Sequence, residues 1–189
     1  MTLPARRLAT YEDVLNAPRE CVAQLIHGQL YTLPRPASRH ALAGSHLRVA
    51  LGYGQPGNGN GGGNGTGGWW ILYEPEVHLG SHVLVPDIAG WQRERMPEFP
   101  DVAYIEIVPD WVCEILSPSN AKLDRGVKMP LYATFGTGYL WLVDPQLQTM
   151  EVFVLHEGKW LLWKVFKEND RITAPPFEGM GFNLGMLWP

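Results

Sequence analysis

Residues 109–145 read PDWVCEILSPSNAKLDRGVKMPLYATFGTGYLWLVDP, and the order of patterns within them decides the fold. Residues 110–117 form a short, largely apolar run, as expected of a strand covered on both faces. Pro118-Ser119-Asn120 breaks that run and offers Ser or Asn as a helix cap. Residues 122–135 are then helical in pattern, with Pro130 expected to interrupt or kink them. Residues 139–143 return to a strand pattern, and Asp144-Pro145 ends it in a turn, with Asp144 as an Asx-type turn residue.

Residues 149–155 and 159–166 are two further strands in succession. The tail, which carries Pro175-Pro176 and several glycines, reads as a surface wrap ending on Leu187-Trp188. Upstream, residues 70–79 and 83–90 form a strand pair around Gly80-Ser81. Ser38 is placed to cap a helix running to about Leu51, with Ala43, Leu47, Ala50 and Leu51 on one face. Residues 22–26 and 29–33 are a hairpin turned at His27-Gly28, where glycine supplies the positive φ a tight connection requires. Thr10 caps a short helix that ends before Pro18. Together these runs specify an α/β (α+β) protein with a mixed central sheet flanked by helices.

The chain has 189 residues, of which 46% are hydrophobic. That is enough for one sizeable core, so residues 1–189 are expected to form a single domain. One segment is of low complexity. Residues 54–68, GQPGNGNGGGNGTGG, contain nine glycines but lack the GK[ST] ending of a phosphate-binding loop, and a flexible surface connection is the expectation.

Fifteen basic against nineteen acidic residues give a net charge of -4, which excludes a general polycation that holds nucleic acid by counterion release. Any phosphate contact must be local. Basic residues gather at Arg6-Arg7, at 35–48, at 93–95 and at 122–128, where a solvated face is the ordinary explanation. Cys21 and Cys113 lie in apolar runs with no partner at metal-ligand spacing, so both read as buried thiols in a reducing compartment. With no signal-like or membrane-spanning apolar stretch, a cytoplasmic protein without membrane contact is expected.

Two carboxylates stand out. Asp87 in VLVPDIAG and Glu114 in DWVCEILS are set in otherwise apolar runs, where an unpaired charge is expensive to bury. Period-two alternation puts Glu114 on one face with Val112 and Leu116, so a cation held by Glu114 and a neighbouring strand's Asp87 is one solution. A structural ion pair with Lys122, Arg125 or Lys128 is the other. For Lys128, an exposed pair with Asp124 four residues earlier is a further alternative. Glu74 and Glu76 read as hairpin surface carboxylates. Trp91, close after Asp87, is placed to stack on an unpaired base, whereas the remaining tryptophans fill cores.

The stretches LIHGQL, PRPASRH, EPEVHLG, VPDIAGW and the long segment quoted above, in that order, resemble the putative restriction endonuclease family within the PD-(D/E)xK nuclease superfamily. The resemblance covers nearly the whole chain. It implies a restriction-endonuclease-like fold and a Mg²⁺ or Mn²⁺ site made by Asp87, Glu114 and the backbone carbonyl of Ile115. The superfamily lysine normally sits two residues after the glutamate, and that position here is Leu116. The chain is similar to members in which the lysine has moved to the following helix, which gives the role to Lys128, with Lys122 as a weaker candidate. His40 in SRH is an auxiliary candidate beside a structural explanation. Gln24 stands where the family usually carries glutamate, so a charge near the metal is replaced by a neutral amide.

The activity so implied is metal-dependent hydrolysis of phosphodiester bonds in nucleic acid, with DNA as expected substrate and a homodimer as expected assembly. The competing reading is a catalytically silent nuclease-fold binding or regulatory domain, which Gln24 favours. A serine hydrolase is the distant third, since no G-x-S-x-G elbow accompanies Ser117 or Ser119.

Overall fold

The computed structural model describes residues 7–51 and 68–189. The glycine-rich segment, apart from Gly68, and Arg6 lie outside the described residues. The architecture is mixed α+β and rests on two sheets. The larger has six strands in the order β10-β9-β8-β7-β6-β3, namely β10 (Lys159–Lys167), β9 (Thr149–His156), β8 (Tyr139–Asp144), β7 (Trp111–Ile115), β6 (Ile88–Gln92) and β3 (Trp69–Tyr73). Only β7 and β8 run parallel, and the remaining neighbours are antiparallel. The smaller sheet is antiparallel, in the order β2 (Gln29–Pro34), β1 (Cys21–Ile26), β5 (His82–Leu84), β4 (Val77–Leu79). β11 (Arg171–Ile172) and β12 (Phe182–Asn183) make a short separate pair.

Residues 70–79 and 83–90, expected as two continuous strands, each divide between the two sheets. Pro75 and Pro86 are the reason: neither has an N–H to give to a ladder, so each run breaks there. Glu74 turns the chain with φ +47, and its N–H donates to the Asp87 carbonyl (3.0 Å). Asp87 therefore sits at a corner between the sheets, immediately before β6, rather than inside a strand.

α2 (Ser38–Ala50) follows the expected periodicity, with Ala43, Leu47 and Leu51 fully buried, although Ala37 occupies the cap position and Ser38 is already helical. α1 (Tyr11–Leu15) starts after Thr10, whose N–H donates to the Asp13 carboxylate (2.7 Å). The expected helix over 122–135 is in three parts: α3 (Ala121–Leu123), a π-helical turn over Asp124–Lys128 and α4 (Met129–Phe135). Pro130 lies at the start of α4, where its missing N–H removes one α-type bond, and the widened turn lies just before it. Gly136 ends α4 in the left-handed region (φ 84), as a glycine after a helix does.

Alternation along β7 sorts the core. Trp111, Cys113 and Ile115 face a cluster with α2 residues Ala43 and Leu47, while Val112 and Leu116 face a second cluster with Leu123, Leu131 and Tyr132. Glu114 points to that second side.

The tail is not a surface wrap. Ile172, Ala174, Phe177, Phe182, Leu184, Leu187 and Trp188 are buried in the first cluster. Phe177 meets Trp69, Trp111 and Trp141 edge-on at 5.1, 5.0 and 5.6 Å, and Trp141 Nε1 donates to the Pro175 carbonyl (2.8 Å). Prolines and glycines hide this segment's apolar content from any periodicity. Trp91 is likewise a core residue: it is fully buried, and its Nε1 donates to the Ile107 carbonyl (2.8 Å), so it cannot stack on a base.

Candidate functional site

The corner before β6, the middle of β7 and the π-helical turn meet in one cleft. Asp87, Glu114, Asp124 and Lys128 line it, together with Gln24 from β1 and His40 from the first turn of α2. Antiparallel pairing of β6 with β7 sets Ile88 opposite Cys113, which brings Asp87 alongside Glu114. The Asp87 N–H faces Glu114 Oε2 at 3.4 Å.

All of these groups but Asp124 are held by hydrogen bonds. Asp87 Oδ2 accepts from the Ile115 N–H (2.6 Å), and Oδ1 lies 2.9 Å from His40 Nε2. Glu114 Oε1 accepts from the Tyr132 hydroxyl (2.6 Å) and pairs with Lys128 Nζ (2.7 Å). That ammonium also faces the Val85 carbonyl and Asp124 Oδ1, each at 3.3 Å. Gln24 Oε1 accepts from the Val85 N–H (2.9 Å), so a single backbone residue links Gln24 to Lys128. The Ile115 carbonyl accepts from Asn120 Nδ2 (3.1 Å), which engages one of its two lone pairs. Lys122 is exposed and is not among the side chains lining the cleft. Glu74, expected on a hairpin surface, lines the cleft rim, with Arg35 Nη1 3.9 Å away.

Lys128 is not on an exposed helix face. Its side chain is 2% exposed, as is that of Glu114, while that of Asp124 is 1% exposed. Burial pushes the Glu114 carboxyl up to about 8; Lys128 pulls it down, and Asp124 and Asp87 add to the rise. Asp124 is also raised, by burial first and by Asp87, against the pull of Lys128. Burial alone would lower Lys128, but Glu114, Asp124 and Asp87 together hold it above its ordinary value.

Asp124 and Tyr132 are the site residues missed by the sequence reading. The signal was present: Asp124, Lys128 and Tyr132 recur at intervals of four, one face of a helix. Nothing local, however, distinguishes a buried face from a solvated one.

The donor chemistry suits a divalent cation. When ionised, three carboxylates face one ammonium in a buried cleft, which leaves two negative charges without compensation. Neither oxygen of Asp124 accepts a hydrogen bond. The Lys128 ammonium is within ion-pair distance of Oδ1 but does not meet hydrogen-bond geometry there. Among the described residues, no three His, Cys, Asp or Glu side chains are arranged to hold a metal as they stand. The ammonium of Lys128 lies between Glu114 and Asp124.

A family model described as a putative restriction endonuclease, Uma2, matches residues 8–186. The fold is similar to a crystal structure described as a putative nuclease belonging to DUF820 from Anabaena variabilis. The two share 24% sequence identity over 94% of this chain and 96% of that chain, with a TM-score of 0.70. No curated protein matches the chain. Among the described residues, no helix is long and apolar enough to cross a membrane.

Proposed function

Since the chain belongs to the Uma2 family of putative restriction endonucleases, we propose that it is a metal-dependent endonuclease that hydrolyses nucleic-acid phosphodiester bonds, with DNA as substrate. Asp87, Glu114 and Lys128 are its catalytic residues. The observation that carries this reading is their convergence, from a corner, a strand and a helical turn, in one cleft where carboxylates outnumber ammonium groups.

Asp87 and Glu114 would hold Mg²⁺ or Mn²⁺ together with the Ile115 carbonyl. A divalent cation supplies Lewis-acid charge to a phosphoryl oxygen and lowers the pKa of a water. The protein's own groups do the rest. His40 and the Ile115 N–H fix both oxygens of Asp87, so the carboxylate is oriented before anything binds. Tyr132 fixes Glu114 in the same way. Lys128 brings a buried positive charge to neutralise a phosphate oxygen as charge develops on it.

The chain is further proposed to act as one domain in the cytoplasm. Cys21 and Cys113 are both unpaired, as suits a reducing compartment. It is also proposed to act as a homodimer, which would present two clefts to the two strands of a duplex. Sedimentation of the purified protein tests the dimer.

One observation favours the silent alternative. Gln24 is buried at the cleft as a neutral amide, bonded to the Val85 N–H. Plasmid and single-stranded DNA, incubated with Mn²⁺ or with chelator, separate the two. Cleavage that needs the metal and is lost in Asp87→Ala supports the enzyme. No cleavage by the parent under any divalent ion supports the silent domain.

A further inference from the structure

Asp124 is a buried carboxylate without a hydrogen-bond donor. Its side chain is 1% exposed, it lines the cleft and neither oxygen accepts a hydrogen bond. A carboxylate in that condition costs stability unless a cation compensates it. Lys128 cannot do so fully, because its ammonium is 2.7 Å from Glu114 Oε1 and 3.3 Å from Asp124 Oδ1. Asp124 and Lys128 both lie in the π-helical turn, four residues apart, and both line the cleft.

We infer that Asp124 is the third anionic ligand of the divalent cation, and that it supplies the negative charge which Gln24 does not. The inference rests on the metal-dependent reading above. It changes the site's composition: the cleft holds three carboxylates after all, one of them drawn from the helical turn instead of β1. Gln24 then keeps only the job the structure gives it, accepting from the Val85 N–H and holding the segment between β5 and β6 whose Val85 carbonyl faces Lys128. Metal binding at Glu114 and Asp124 competes with the Lys128 ammonium, which stands between them.

The test is calorimetric titration of the purified full chain with Mn²⁺ alone, beside thermal melting of the same samples without metal. Asp124→Asn keeps the shape and removes the charge. It should weaken Mn²⁺ binding by about tenfold or more. Its metal-free melting temperature should be equal to or above the parent's, because an unbonded buried charge has gone. A merely structural partner of Lys128 would instead lower that temperature and leave Mn²⁺ affinity unchanged, and that result overturns the inference. If the parent itself binds no Mn²⁺, the metal-dependent reading fails and this inference with it. If the parent binds and Asp124→Asn binds equally well, only the role of Asp124 fails. A measurement on the parent covers a variant that does not fold. In Mn²⁺-soaked crystals an Asp124 oxygen should lie about 2.1 Å from the ion, near the distance for small hard divalent cations. An ion with Asp124 outside its coordination shell overturns the proposal.

Discussion

Two groups of acidic side chains use the same chemistry in opposite ways. Around Glu76, the Tyr11 hydroxyl donates to Oε1 at 2.7 Å and His78 Nε2 lies 2.7 Å from the same oxygen. The His78 ring is stacked on Tyr104 at 3.7 Å and met edge-on by Tyr11 at 4.8 Å. Glu76 is 28% exposed, so water and these partners compensate its one charge. In the cleft, Glu114 and Asp124 are almost wholly buried, share one ammonium, and leave the Asp124 oxygens unbonded. A polar cluster built for stability pairs its groups and keeps them near water. The cleft proposed to receive a cation instead gathers more carboxylates than ammonium groups and shuts water out.

The largest expected contrast is in activity. Asp87→Ala should cut metal-dependent hydrolysis by about 10²–10³-fold, the usual scale for losing one electrostatic element of a site, whereas Glu76→Ala should leave it near the parent value. Equal losses in a plasmid-nicking assay would erase the distinction between the two clusters.

Next comes stability. Lys128→Met removes the cation between Glu114 and Asp124, so two buried carboxylates lose that partner, and urea unfolding should show a loss of about 3–5 kcal/mol. Glu76→Gln, at a partly exposed cluster, should cost under about 1 kcal/mol. A Lys128 variant as stable as the parent would mean the cleft carboxylates are not charged against it.

Gln24→Glu sharpens the cleft side. A glutamate there can still accept from the Val85 N–H, so the local bond survives while a negative charge is added. Mn²⁺ affinity should rise about tenfold and metal-free stability should fall, since another carboxylate joins Glu114 and Asp124. Unchanged affinity in the titration would put position 24 outside the metal's reach.

The smallest effect is a pH dependence at the other cluster. The bond to Glu76, then burial, push the Tyr11 phenol from 10.0 up to about 12. The folded state holds that proton more tightly than the unfolded chain does. The stabilisation is therefore complete below pH 10 and is lost as pH rises from 10 towards 12. Tyr11→Phe lacks it, so the stability gap between parent and variant should narrow across that window. A constant gap would show that the phenol does not titrate through Glu76.

Much of this molecule is legible in the sequence because it depends on neighbours along the chain. Alternation in 110–117 put Glu114 on one face with Val112 and Leu116, the 3.6-residue period placed Ala43, Leu47 and Leu51 inside, and the cost of burying charge singled out Asp87 and Glu114. Asp144 also accepts from Gln146 and Leu147 N–H groups, each at 2.9 Å, the turn its sequence suggests. What tertiary structure alone decided depends on partners far away in sequence. Pro75 and Pro86 mark in the sequence where the runs over 70–90 break, but a strand run does not say which sheet it joins, so neither the split between two sheets nor the turn of Asp87 into the cleft could be read there. The tail's prolines and glycines conceal that Phe177 and Trp188 complete the core beside Trp111 and Trp141. Asp124 and Lys128 make an ordinary i, i+4 pair on paper. Only the packing of the π-helical turn against β7 takes both out of water, and burial is what changes a surface pair worth little into a site with charge to spare.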